Sequence, residues 1–233
     1  MKVIVTGHSS GIGLYCFEEL HKLGFEMVGI DKNVNGTCDA YGVQYKCDLS
    51  DEIASKKVFE IIGDYDIAIN CAGASSSRKR FEDFDIYDFM DSFNLNFSVF
   101  FNSVSNEVWN AKLSDRRRRI INIASITASF GGKNMSAYSS VKAAMINLTK
   151  VIAVENAPDL LVNSISPATI DTPMIRSKYD GELPSYRDAY LTGSCGKVSD
   201  VFSVVKMLIE NDFITGQDIP LDGGYSSLFE LKL

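Results

Sequence analysis

The stretch that most restricts how this chain can fold lies at its start. An apolar run from Met1 to Thr6 leads into Gly7-His8-Ser9-Ser10-Gly11-Ile12-Gly13. Helical spacing follows, with Cys16, Leu20 and Leu23 at i, i+4 and i+7, and Gly24 supplies a stop. A second apolar run, Met27-Val28-Gly29-Ile30, ends in Asp31. Strand, glycine-rich turn, helix, strand and terminal acid, in that order, make a βαβ unit of the kind that holds a dinucleotide.

Each residue type has its own reason to be there. Glycines permit the tight turn and let backbone approach a pyrophosphate, while the helix start offers free N–H groups and a partial positive charge to it. Asp31, eighteen residues past Gly13, is placed to accept hydrogen bonds from ribose hydroxyls and to repel a 2′-phosphate, which favours NAD over NADP. The same turn also fits G-x-S-x-G, the nucleophile elbow of serine hydrolases. That chemistry needs a histidine late in the chain, and the only histidines are His8 and His21; the shortage also argues against a histidine-based metal site.

The alternation continues. Val43 to Cys47 reads as a third strand followed by Asp48-Leu49, and a helix runs from about Asp51 to Ile62. Ile67 to Asn70 is a fourth strand ending in Asn70-Cys71-Ala72-Gly73. A long helix spans Phe89 to Ala111, and a fifth strand runs from Arg119 to Ala124, ending at Ser125. A helix from about Ser136 to Glu155 carries the apolar stripe Val141, Met145, Leu148 and Ile152, with Tyr138 and Lys142 expected to look away from the sheet. Leu160 to Ile165 and Ile219 to Leu221 complete seven strands. Strands alternating with helices imply an α/β fold of Rossmann type, a doubly wound, mainly parallel sheet covered on both faces. Ligands of such sheets bind beyond the carboxyl ends of the strands. Gly7, Asp31, Asp48, Asn70, Ser125 and Pro167 are therefore expected on one rim.

The chain has 233 residues, 45% hydrophobic and 23% charged, and a net charge of -7. This suits a single domain over 1–233 and excludes a dedicated nucleic-acid binder. The Arg116-Arg117-Arg118-Arg119 run precedes the fifth strand, opposite the ligand rim, and reads as a solvated loop. Five cysteines without a C-x-x-C pair support neither a disulfide framework nor a zinc site. No stretch resembles a signal peptide or a membrane span, so a cytoplasmic protein without membrane contact is expected.

With these residues in view the chain resembles the short-chain dehydrogenase/reductases, in the subgroup of about 250 residues, over nearly its whole length. Thr6 to Gly13 looks like the family's T-G-x-x-x-G-x-G cofactor turn, and Asn70-Cys71-Ala72-Gly73 like its N-N-A-G, with Cys71 in place of the second asparagine. Tyr138 and Lys142 match Y-x-x-x-K, and Ser125 stands thirteen residues before Tyr138, at the family's spacing for its serine. Pro167 to Met174 resembles P-G-x-x-x-T, with Ala168 replacing the glycine and Thr172 placed for the nicotinamide amide. Gly216-Gln217 and Asp222-Gly223-Gly224 fit the C-terminal signature. The helix asparagine aligns with Asn94 or Asn96; Asn96 is chosen because Phe101 then follows five residues later.

The resemblance implies reversible hydride transfer between a secondary alcohol or ketone and NAD. Tyr138 would be the general acid and base, Lys142 would lower its pKa together with the nicotinamide ring, Ser125 would hold the substrate oxygen, and Asn96 a proton-relay water. The cofactor would contact Gly7, Ser9, Ser10, Gly11, Ile12, Gly13, Asp31, Asp48, Leu49, Asn70, Ala72, Gly73, Tyr138, Lys142, Pro167, Ile170 and Thr172. It also implies a homotetramer or homodimer. Substrate choice is expected in the loop 174–194, whose Arg176, Lys178, Tyr179, Tyr186, Arg187 and Tyr190 would suit a polar or anionic small molecule. Two other readings stand beside this one. The first is a non-catalytic NAD-binding sensor or scaffold. The second is a reductase of acyl-carrier-bound 3-oxoacyl groups, which usually prefers NADP, against Asp31.

Overall fold

A computed structural model of the chain describes residues 1–34, 36–74 and 78–227. Seven strands form one sheet: β1 (Lys2–Thr6), β2 (Glu26–Asp31), β3 (Val43–Lys46), β4 (Ile67–Asn70), β5 (Arg118–Ile123), β6 (Leu160–Pro167) and β7 (Asp218–Leu221). The order across it is β3-β2-β1-β4-β5-β6-β7, and each pair of neighbouring strands is parallel. The chain winds outward from β1 to β3, then returns to β4 on the other side of β1. That reversal opens a crevice at the carboxyl ends of β1 and β4, where open α/β sheets bind ligands.

The strands are apolar on both faces, and their period of two sorts the side chains into two cores. Val3, Val5, Ile67, Ile69, Ile121 and Ile123 face one layer, where α1 (Gly11–Lys22) and α6 (Val198–Glu210) bring Phe17, Leu20, Val201 and Val205. Ile4, Ala68 and Ile120 face the other, where α2 (Glu52–Ile62), α3 (Ile86–Ala111) and α4 (Ser136–Asn156) bring Phe59, Phe100, Val104, Val141 and Met145. A short helix, α5 (Pro173–Arg176), follows β6. Asp51 caps α2 through Ala54 N at 3.0 Å, and Asp85 caps α3 through Asp88 N at 2.8 Å. The long helix α3 thus starts three residues before the expected Phe89, because Asp85 supplies an acceptor that apolar spacing does not display. Among the described residues no helix is long and apolar enough to cross a membrane.

The arginine run departs from expectation. Arg118 and Arg119 belong to β5, and Arg118 is 0% exposed. Its guanidinium is held by Asp64 and by Ser114 Oγ, Arg116 pairs with Asp66 at 2.8 Å, and Arg119 pairs with Asp212. A buried charge is tolerated only when paired, and these acids come from loops distant in sequence.

A buried polar chain ties the middle of the sheet to both helices above it. Asn70 Nδ2 donates to Glu107 Oε2 at 2.8 Å and to Asn122 Oδ1 at 3.0 Å. Thr6 Oγ1 donates to Asn70 Oδ1 at 3.2 Å, and Asn122 Nδ2 donates to Thr149 Oγ1 at 2.9 Å. Glu107 is fully buried, and its Oε1 has no partner among the described residues. Burial outweighs the Asn70 hydrogen bond and pushes its carboxyl up to about 8. A carboxyl whose pKa is higher folded than unfolded stabilises the fold most when protonated. That contribution is complete below about pH 4.3 and is lost as pH rises towards 8. Relative to Glu107→Gln, which keeps the shape and an acceptor for Asn70, the native chain should lose on the order of 4 kcal/mol between pH 4.5 and 8.5 in urea unfolding. Parallel pH curves for the two proteins would sink this assignment.

Candidate active site

The glycine turn crosses the end of β1 and starts α1. Gly7 has φ +69°, and a Cβ there would stand 2.8 Å from Ala72 Cα. A Cβ on Gly13 would stand 2.2 Å from Gly7 O, so the turn closes only without side chains at these two positions. Unlike α2 and α3, α1 has no side-chain cap at its N-cap residue, Ser10. Its first N–H groups are therefore left for a ligand, as an anion at a helix start requires.

A cavity of about 340 Å³ lies over this turn. Gly7, Ser10, Gly11, Ile12 and Gly13 form its floor, Asp31 one end, Asp48 and Leu49 the next wall, and Ala72, Gly73 and Thr172 the other side. Asp31 is aimed by two backbone donors: Ser9 N reaches Oδ2 at 3.2 Å and Asn33 N reaches Oδ1 at 3.0 Å. Asp48 accepts from Ser50 N and Ser50 Oγ at 3.0 and 2.7 Å, bonds that hold its carboxyl below the ordinary value. A glycine cradle, an uncapped helix start and a carboxylate at the far end fit the pyrophosphate and ribose of a dinucleotide. Of the other residues expected at the cofactor, Asn70, Tyr138, Lys142, Pro167 and Ile170 do not line this cavity, Tyr138 lining a second one instead. Asn70 is spent on the sheet network, Pro167 ends β6, and Ile170 is buried against Gly196. Ser9 contributes through its backbone bond to Asp31.

A second cavity, of about 300 Å³, lies beside the first, and Met174 lines both. Ser125, at the end of β5, and Tyr138, in the first turn of α4, line it together. Ser125 Oγ accepts from Thr127 Oγ1 at 3.0 Å, and it lies near enough to the Tyr138 hydroxyl to favour the phenolate. Lys142, expected to face away from the sheet, turns onto its end instead. It is 7% exposed, its Nζ donates to Ile123 O at 2.9 Å, and it sits 5.7 Å from the Tyr138 ring centroid. The reason is length: the four-carbon stem reaches the last carbonyl of β5, which the helical stripe alone does not reveal. Burial pulls the Lys142 ammonium down to about 8, against an opposing contribution from Cys71. Burial likewise pushes the Tyr138 phenol above its ordinary value, while Ser125 and the Arg78 charge pull it back. In the chain alone, then, it is Ser125 and Arg78 that favour the phenolate.

Asn96 lies in α3, 3% exposed, and its Oδ1 accepts from Ala74 N at 2.8 Å, while Asn94 is exposed. This bond ties α3 to the loop after β4. The C-terminal Asp222 accepts from Gly224 N at 3.0 Å and Ser226 N at 2.8 Å, a turn that brings Tyr225 to the second cavity. Arg78, Thr127 and Phe130 line that cavity without having been singled out in the sequence. Thr127 lay two residues from Ser125 and could have been found by proximity; nothing local marks Arg78.

Fold and site together define a nucleotide-binding α/β protein with a serine, a tyrosine and a lysine gathered at the sheet's ligand rim. The chain belongs to the short-chain dehydrogenase/reductases, a family of oxidoreductases. A family model described as enoyl-(acyl carrier protein) reductase matches residues 7–226. The 3-oxoacyl-[acyl-carrier-protein] reductase of Salmonella typhimurium is 29% identical over 236 residues, covering 95% of each chain. The ligand-free aldohexose dehydrogenase of Thermoplasma acidophilum superposes with a TM-score of 0.91 at 30% identity, covering 100% of this chain and 96% of that one. ElxO with NADP bound superposes with a TM-score of 0.88 at 27% identity, covering 97% and 99%.

Proposed function

We propose that the chain interconverts a secondary alcohol and a ketone with NAD(H), with Tyr138 as general acid and base. The observation that carries this reading is that Ser125 and Tyr138 line one cavity together, and that this cavity abuts the dinucleotide cleft. The nicotinamide supplies the hydride chemistry, with alcohol plus NAD⁺ giving ketone, NADH and one proton. Ser125 holds the substrate oxygen and stabilises its developing charge. Tyr138 takes the hydroxyl proton in oxidation and returns it in reduction. Lys142 keeps a cation next to the phenol ring, and Asn96 fixes the loop that borders both cavities.

NAD is preferred in this reading because both Asp31 oxygens are held in place at the ribose end of the cleft, where a 2′-phosphate would meet a fixed negative charge. ElxO is recorded with NADP, so the preference is tested directly. A panel of secondary alcohols and ketones is screened with NAD(H) and NADP(H), using the native chain and Asp31→Asn. The native chain should favour NAD at least about ten-fold in kcat/KM, and Asp31→Asn should erase most of that margin. Tighter use of NADP by the native chain would overturn the cofactor assignment. The carrier-bound 3-oxoacyl reductase is the second reading, favoured by the Salmonella relative; faster turnover of a 3-oxoacyl thioester than of every small ketone would select it. A homotetramer or homodimer in the cytoplasm accompanies this proposal, supported by the exposed Phe101 on α3 and Val151 and Val154 on α4.

A further inference from the structure

The second cavity has a charge pattern that its catalytic residues do not require. The chain carries a net charge of -7, yet among the described residues no carboxylate lines this cavity, while Arg78 and Lys178 both do. Their neighbours in sequence are neutralised: Lys79 pairs with Asp88, Arg80 with Glu82, and Arg176 with Asp171. Arg78 and Lys178 form no ion pair with any described residue.

The Arg78 charge acts both on Lys178 and on the reacting phenol. Burial lowers the Lys178 ammonium, and the Arg78 charge lowers it further. The same Arg78 charge favours ionised Tyr138. Two like charges gathered at one cavity disfavour each other, and an anion between them removes that cost. Part of the wall is aromatic: Phe130 meets Tyr225 at 6.3 Å and Tyr190 meets Tyr225 at 6.0 Å, both edge-on. At about 300 Å³ the space is at the small end of ligand sites.

We infer that the substrate is a small ketone or alcohol bearing an anionic group, held by Arg78 and Lys178 while Ser125 and Tyr138 meet its oxygen. This rests on the oxidoreductase reading above. A carboxylate and a phosphate present the same acceptor chemistry to the two cations, and the test separates them.

Reduction by NADH is measured for 4-oxopentanoate against its methyl ester, and for dihydroxyacetone phosphate against dihydroxyacetone. Binding of all four to the NADH-loaded chain is followed in parallel by quenching of cofactor fluorescence. In at least one pair the anion should exceed its neutral partner at least about ten-fold in kcat/KM and in affinity. The pair that responds identifies carboxylate or phosphate. In the double variant Arg78→Gln, Lys178→Gln the anion-to-neutral ratio should fall to about one. Neutral members favoured by the native chain, a preference that survives the double variant, or no binding of any probe would each overturn the inference. Charge-dependent binding without reduction of any probe would leave the anion site standing and remove the oxidoreductase reading. Reduction of neutral ketones without anion preference would do the reverse.

Discussion

Replacing Tyr138 by phenylalanine is expected to lower kcat about a thousand-fold in either direction, the scale of a positioned acid–base group. The cofactor should still bind within a few-fold of its native affinity, because Tyr138 lines the second cavity and not the dinucleotide cleft. The ring stays and only the hydroxyl leaves, so the thermal transition should move by no more than a few degrees. The pH profile supplies a second check. Burial holds the phenol above its ordinary value, and oxidation needs the phenolate. Oxidation by the native enzyme should therefore climb with pH through the alkaline range, while reduction, which needs the phenol, should fall. Residual activity of Tyr138→Phe should lose this dependence. Native turnover by the variant would dismiss the tyrosine as the acid–base group.

Gly13→Ala should be nearly as severe by a different route. The added methyl would meet the backbone oxygen of Gly7 at 2.2 Å and its carbonyl carbon at 2.7 Å. Both atoms belong to the turn that must approach the pyrophosphate, so neither can withdraw without opening the cradle. The expected outcome is a dinucleotide Kd raised at least about a hundred-fold and a loss of about 1–3 kcal/mol in stability. Gly36→Ala is the control, since its Cβ would meet nothing nearer than an Asp39 oxygen at 3.9 Å. Calorimetric titration with NADH and a thermal scan separate the two effects. A variant that binds NADH normally would show that the turn is not the pyrophosphate cradle.

The elements that could be read in advance are those whose signals are local. Alternating apolar runs and helical stripes are periodic, and the strands and long helices differ from expectation chiefly by a few residues at their ends. At those ends a side-chain cap such as Asp85, or a hydrogen bond to a neighbouring strand, outweighs the apolar pattern. The glycine turn was legible because its spacing is itself the constraint. The spacing of Ser125 from Tyr138 and Lys142 was legible only through resemblance, since a tyrosine and a lysine four apart occur by chance on many helices.

What escaped reading depends on contacts between distant segments. Arg118 looked like part of a solvated run, and it is buried because Asp64, fifty-four residues away, reaches it. Nothing in the sequence marks Glu107, which meets Asn70, thirty-seven residues earlier, in the interior. Arg78 has no motif at all, and gains meaning only where the loop after β4 meets the segment after β6.

The sequence by itself determined the doubly wound sheet, the rim on which the cavities open and the acid that ends β2, because periodicity and glycine spacing are properties of neighbours along the chain. Only the tertiary structure decided which way Lys142 turns, which asparagine of α3 is buried, and that Arg78 and Lys178 line one cavity with Tyr138. Burial and charge pairing are set by residues far apart in sequence, and they exist only once those residues have been brought together.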